Sequence, residues 1–168
     1  MWRDCNNGKP NPSLVKGNIE KDSTVSWPND DLVSQNIRTR NLASSGIIRH
    51  LLIEYEAFIG KDKPANEPTI EHILPQTVTK DWEKIFKGKS YGDNLNIWAN
   101  LIPLTTSLNS KVSCKLYSEK KKLYVKESVF KTARAVATKY NKWDTTQLNK
   151  RSAELVSFAL KRWPHKKA

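Results

Sequence analysis

The sequence predicts an α+β, mainly helical domain, and three observations carry that expectation. Apolar residues recur at helical spacing through Ile47, Ile48, Leu51, Leu52, Tyr55, Phe58 and Ile59, and again through Leu148, Leu155, Val156, Ala159, Leu160 and Trp163. Two short stretches, 68–75 and 97–104, combine strand-favouring residues with prolines that push the preceding residue out of helical space, and both read as extended. A Thr-Ser pair at Thr106 and Ser107 then caps a helix, so the middle of the chain runs strand, loop, strand, helix.

Length and charge bound what such a domain can do. The chain has 168 residues, enough for one modest core, and a formal net charge of +12 with lysines spread over its second half. Such a field draws polyanions by neutralising phosphates and releasing their counterions, which makes nucleic acid the expected partner. No apolar run is long enough to span a bilayer and no signal peptide opens the chain, so a soluble, cytoplasmic protein is expected, with no membrane partner. Cys5 and Cys114 lie far apart without metal-ligand spacing, which leaves neither a zinc ribbon nor a disulfide framework. There is no Gly-x-x-x-x-Gly-Lys phosphate loop.

Taken in order, residues 1–26 are rich in Asn, Lys, Pro, Gly and Ser without apolar periodicity, and read as a flexible leader or linker, with a domain over 27–168. From Trp27-Pro28 the composition changes, and Asp30 is placed to cap a helix containing Leu32, Val33 and Ile37. Gly46 breaks the chain before the long 47–59 helix, which Gly60 ends. After the first extended stretch, 81–86 suggests a short helix and Gly88 and Gly92 a loop. The second extended stretch leads into the helix that carries Asn109 in or near its first turn. A basic helical region follows, and Asp144-Thr145-Thr146 caps a last helix that Pro164 stops. Trp82, Trp98, Trp143 and Trp163 neighbour apolar positions and are expected to anchor the core, while Trp2 and Trp27 receive no assignment.

Of the three histidines, His50 reads as helix surface and His165 as part of a mobile tail, leaving His72 for chemistry. Glu71-His72-Ile73-Leu74-Pro75-Gln76, followed by Asn100 and Asn109, places a histidine near a strand end and an asparagine on the helix after the next strand. Hydrolysis of a phosphodiester needs a base for water, a cation for phosphate charge and a frame to hold them. Those residues, together with Trp27-Pro28, Asn100-Leu101-Ile102-Pro103-Leu104, Leu108-Asn109-Ser110, Tyr117, Lys120, Tyr124, Trp143, Leu148 and Arg151, resemble the HNH, or ββα-metal finger, endonucleases. The likeness is greater to the HNH-like domain at the C-terminus of modification-dependent restriction enzymes of the GmrSD kind. One departure is Ala99, where that family commonly has glycine.

The resemblance implies a ββα-metal finger core wrapped by helices, with His72 as general base, Asn100 fixing the hairpin, and Asn109 and Glu71 as ligands of Mg2+ or Mn2+. It also implies an N-terminal sensor domain that uses nucleotide in the longer protein. Among the basic residues Lys115, Lys120, Lys121 and Arg151 are the candidate nucleic-acid contacts; Arg151 flanks an apolar helix face, where structural pairing with a buried carboxylate such as Glu71 is favoured over a phosphate. The expectation is therefore a metal-dependent DNA endonuclease that nicks, serving a restriction or anti-phage system. The alternative is a non-catalytic basic DNA-binding module with a vestigial motif; an RNase shares the same site chemistry.

Overall fold

The computed structural model of the chain describes residues 5–6, 9–21, 28–61, 64 and 67–164. In the leader, β1 (Cys5–Asn6) pairs antiparallel with β2 (Lys9–Pro10), and α1 (Pro12–Lys21) follows. Composition foretold no regular structure there, but a local start signal exists. Asn11 Oδ1 accepts from the Ser13 and Leu14 amides at 3.0 and 3.4 Å, with Pro12 as the first helical residue. Trp2, Trp27 and His165 lie outside the described residues.

The elements that follow build the body around one antiparallel pair. α2 (Asp30–Thr39) is capped by Asn29, whose side chain accepts from Leu32 N, one residue before the expected Asp30; Asp30 and Asp31 instead face the helix dipole in the first turn. α3 (Ile47–Gly60) buries Ile48, Leu52 and Tyr55, whereas Ile47 and Phe58, expected on its apolar face, are exposed. The left-handed residue that ends it is Lys61 (φ 68°), not Gly60. Then β3 (Thr69–His72) pairs in register with β4 (Leu101–Leu104), Thr69 opposite Leu104 and His72 opposite Leu101. Between them lie α4 (Lys80–Ile85), α5 (Lys89–Leu95) and a 3₁₀ turn (Trp98–Asn100).

Two of these correct the sequence expectation. Gly92 sits inside α5 rather than in a loop, and only Gly88, at φ 59°, takes the backbone role that favours glycine. The extended stretch 97–104 is strand only from Leu101, because the 3₁₀ turn reorients Asn100 inward before the ladder begins.

α6 (Thr106–Val112) starts from Thr105, whose hydroxyl accepts from Leu108 N, one residue ahead of the expected cap. It is followed by α7 (Tyr117–Glu127), α8 (Lys131–Lys139) and α9 (Thr145–Arg162), the last capped by Asp144 as its sequence foretells. The strand pair is sandwiched by helices: β4 packs on α3 and α8, β3 on α6, and the 3₁₀ turn on α2 and α9. Trp82, Trp98 and Trp143 are buried core anchors, while Trp163 lies at the edge, 39% exposed. The fold is thus α+β and mainly helical, with a strand-strand-helix unit at its centre.

One buried acid ties two helices together. α8 has no side-chain cap of its own; Glu56 of α3 accepts from the Lys131 and Thr132 amides at 2.6 and 2.8 Å, placing a carboxylate on the first turn of α8. Glu56→Ala strands both donors, and a loss of about 2–3 kcal/mol is expected, read as a lower urea midpoint in equilibrium unfolding followed by circular dichroism.

Candidate active site

β3 ends at His72, and two asparagines fix what surrounds it. Asn100 is fully buried and uses its whole hydrogen-bonding capacity: Oδ1 accepts from Leu74 N (2.7 Å) and Trp143 Nε1 (3.1 Å), and Nδ2 donates to the carbonyls of Leu74 (2.9 Å) and Leu95 (2.8 Å). Its own carbonyl accepts from Ile73 N. Asn100 therefore pins the chain that leaves His72. Asn109, on α6, donates through Nδ2 to Thr69 Oγ1 (3.1 Å) and Ile70 O (3.0 Å), locking α6 onto β3. Its Oδ1 has no hydrogen-bond partner among the described residues.

The imidazole of His72 is half-buried and meets Asn96 Oδ1 at 3.1 Å through Nε2. An amide oxygen accepts, so this contact selects the tautomer with the proton on Nε2 and leaves Nδ1 as the basic atom. Burial holds the pKa of His72 below its ordinary value; the Asn96 bond opposes this, and the nearby Lys120 charge adds to it. Asn96, just past α5, escaped sequence inspection because nothing in Asn94-Leu95-Asn96 separates one asparagine from the other before the turn places them. His50 is exposed on α3, as its sequence position implies.

Glu71 is buried and holds one carboxylate oxygen on interior partners. Its Oε1 accepts from Lys120 Nζ at 2.6 Å and from Tyr124 Oη at 2.8 Å, and Lys120 also donates to the His72 carbonyl at 2.8 Å. Burial pushes the Glu71 carboxyl up and the Lys120 ammonium down, each partner opposing the other's shift. Oε2 has no side-chain partner among the described residues.

His72, Glu71 and Asn109 meet in one small polar cavity of about 160 Å³, completed by Ile70, Pro75, Gln76, Thr77, Ser113 and Cys114. Among the described residues no three acidic, histidine or cysteine side chains converge as a ready metal cluster. The cavity residues that could offer a side-chain amide or carboxylate oxygen to a cation include Glu71 and Asn109. Such a set suits a hard cation that keeps most of its water, as Mg2+ does, rather than zinc.

The basic candidates separate. Lys115 is exposed beside the cavity residue Cys114, with its carbonyl accepting from Trp82 Nε1. Lys121 is half-buried and donates to Asn141 Oδ1 at 2.8 Å. Lys120 and Arg151, by contrast, are corrected to interior residues. Lys120 is inaccessible and paired with Glu71, and Arg151 is 2% exposed, donating to the Leu101 carbonyl at 3.3 Å with its guanidinium over the Tyr55 ring. Neither reaches solvent, so neither meets a phosphate as placed, and the partner of Arg151 is not Glu71.

A family model described as the C-terminal domain of GmrSD restriction endonucleases matches residues 27–158. No curated protein and no solved structure matches the chain.

Two outcomes follow from this geometry. In the metal-free protein the His72 ring titrates below the ordinary imidazole value of 6.5, measured by NMR. Lys120→Ala leaves a buried carboxylate unpaired and costs about 3–5 kcal/mol, whereas Lys115→Ala, at an exposed position, changes stability by about 0.5 kcal/mol or less; urea unfolding of the two variants separates them.

Proposed function

The chain belongs to the family of GmrSD restriction endonuclease C-terminal domains, and from that premise we propose that it hydrolyses DNA phosphodiester bonds with the aid of Mg2+ or Mn2+, one strand at a time. The observation that carries this reading is the strand-strand-helix unit that brings His72 and Asn109 to a single polar cavity.

His72 takes a proton from a water molecule on Nδ1 as that water attacks phosphorus, and the bond from phosphorus to the opposite oxygen breaks. A depressed pKa keeps the imidazole neutral, hence basic, at physiological pH. Asn96 holds the ring by Nε2 so that Nδ1 faces the water, and Asn100 holds the chain on which the ring is mounted. Glu71 and Asn109 are the residues that would hold the cation, which when bound neutralises charge on the phosphate and on the departing oxygen. Lys115 and Lys121 contribute sequence-independent backbone contacts. One base and one cation site act on one strand, so cutting both requires a second copy or a second event. Recognition of modified DNA belongs, in this reading, to a nucleotide-using sensor domain elsewhere in a longer protein.

Purified protein converts supercoiled plasmid to the open-circular form with Mg2+ or Mn2+ and not with EDTA. His72→Ala lowers the rate by about 10²–10⁴-fold, the range of a lost general base. Wild-type protein that binds plasmid in a salt-sensitive way without cutting it under any divalent cation would sink the enzyme reading in favour of a binding module.

A further inference from the structure

The cavity around His72 is short of negative charge. Among the described residues Glu71 is the one acidic side chain in its lining, and the Lys120 ammonium lies 2.6 Å from that carboxylate, entirely inside the protein. Asn109 is neutral, and the surrounding chain carries a net charge of +12. A dication entering from solvent therefore meets the side chains of Asn109 and Glu71, the latter with its charge already paired to Lys120. Desolvating a dication without charge compensation is strongly unfavourable. A phosphodiester laid across the cavity supplies the missing charge, because each phosphate carries one negative charge and its oxygens are hard ligands.

We infer that Lys120 is a positioning residue which, by holding Glu71 Oε1, makes cation binding conditional on DNA. The inference rests on the endonuclease reading and deepens it: cation and DNA assemble the site together, and neither occupies it well alone. Thermodynamic reciprocity then requires the cation to tighten DNA binding by the same factor by which DNA tightens cation binding. Tyr124 provides an internal comparison, since it donates to the same oxygen at 2.8 Å without carrying charge.

The test measures Mn2+ binding by loss of the free-ion electron paramagnetic resonance signal, with and without a short duplex, in a His72→Ala background that keeps the duplex intact. Glu71→Gln in the same background subtracts cations held by the duplex itself. Mn2+ is expected to bind roughly 5- to 150-fold more tightly with the duplex present, the usual span of coupling between two sites. Lys120→Met is expected to bind Mn2+ without DNA and to lose most of that coupling, whereas Tyr124→Phe keeps it; a purely structural Lys120 would move both variants alike. Equal Mn2+ affinity with and without duplex, or a Lys120→Met variant with undiminished coupling, overturns the inference. If Lys120→Met does not fold, the coupling in the parent protein decides alone. Wild-type protein that cleaves with Mn2+ yet shows no coupling leaves the endonuclease reading standing, while neither cleavage nor coupling overturns both.

Discussion

The side chain of Asn100 is the constraint on which the site depends. A primary amide has two donor hydrogens and two acceptor lone pairs, and here all four are used inside the protein, joining Leu74, Leu95 and Trp143 at one point. No other residue type of this size presents that combination; aspartate would turn repelling oxygens towards two carbonyls, and leucine would strand four buried polar groups. The amide thus closes the long excursion between β3 and β4 immediately after the base. With Asn109 holding the other end of β3, the strand is fastened from both sides before any substrate arrives.

Around that frame the protein accepts electrostatic arrangements that stability alone would not favour. The Lys120–Glu71 pair is buried, and such a pair is often no better than a well-packed apolar substitute. Arg151 is buried with its Nε unpartnered, its charge addressed to the Leu101 carbonyl and the Tyr55 ring. Both cations lie next to the strand pair, Lys120 against β3 and Arg151 against β4. They bind backbone carbonyls where an apolar side chain could only fill space, so the hairpin is gripped at His72 on one strand and at Leu101, its ladder partner, on the other.

Much of this was legible in the residues, and the rest was not for identifiable reasons. β3 could be read because Thr69-Ile70 and Pro75 signal extended backbone locally, and α9 because Asp144 and a regular apolar face mark both its start and its period. α5 was hidden by Gly88 and Gly92, since glycine signals a break whether or not the chain takes it, and the 3₁₀ turn by its apolar Ile97-Trp98-Ala99, which looks like buried strand. In the site, His72, Asn100 and Asn109 stood out by their order, and the fold brings them around one short strand. The resemblance set Lys120 apart from Lys121 and Lys122 as a phosphate contact, but its burial was not legible in the lysine run, because that comes from where α7 meets β3 and not from its neighbours in sequence. Asn96 was missed for the same reason: its role exists only once α5 ends against the imidazole.

The separations along the chain carry a consequence for synthesis. Leu74 meets Asn100 across 26 residues, Glu71 meets Lys120 across 49, and Asn100 meets Trp143 across 43 more. A ribosome therefore releases His72 long before it releases the residues that hold it, and the frame around that side chain closes only once Trp143 has been made.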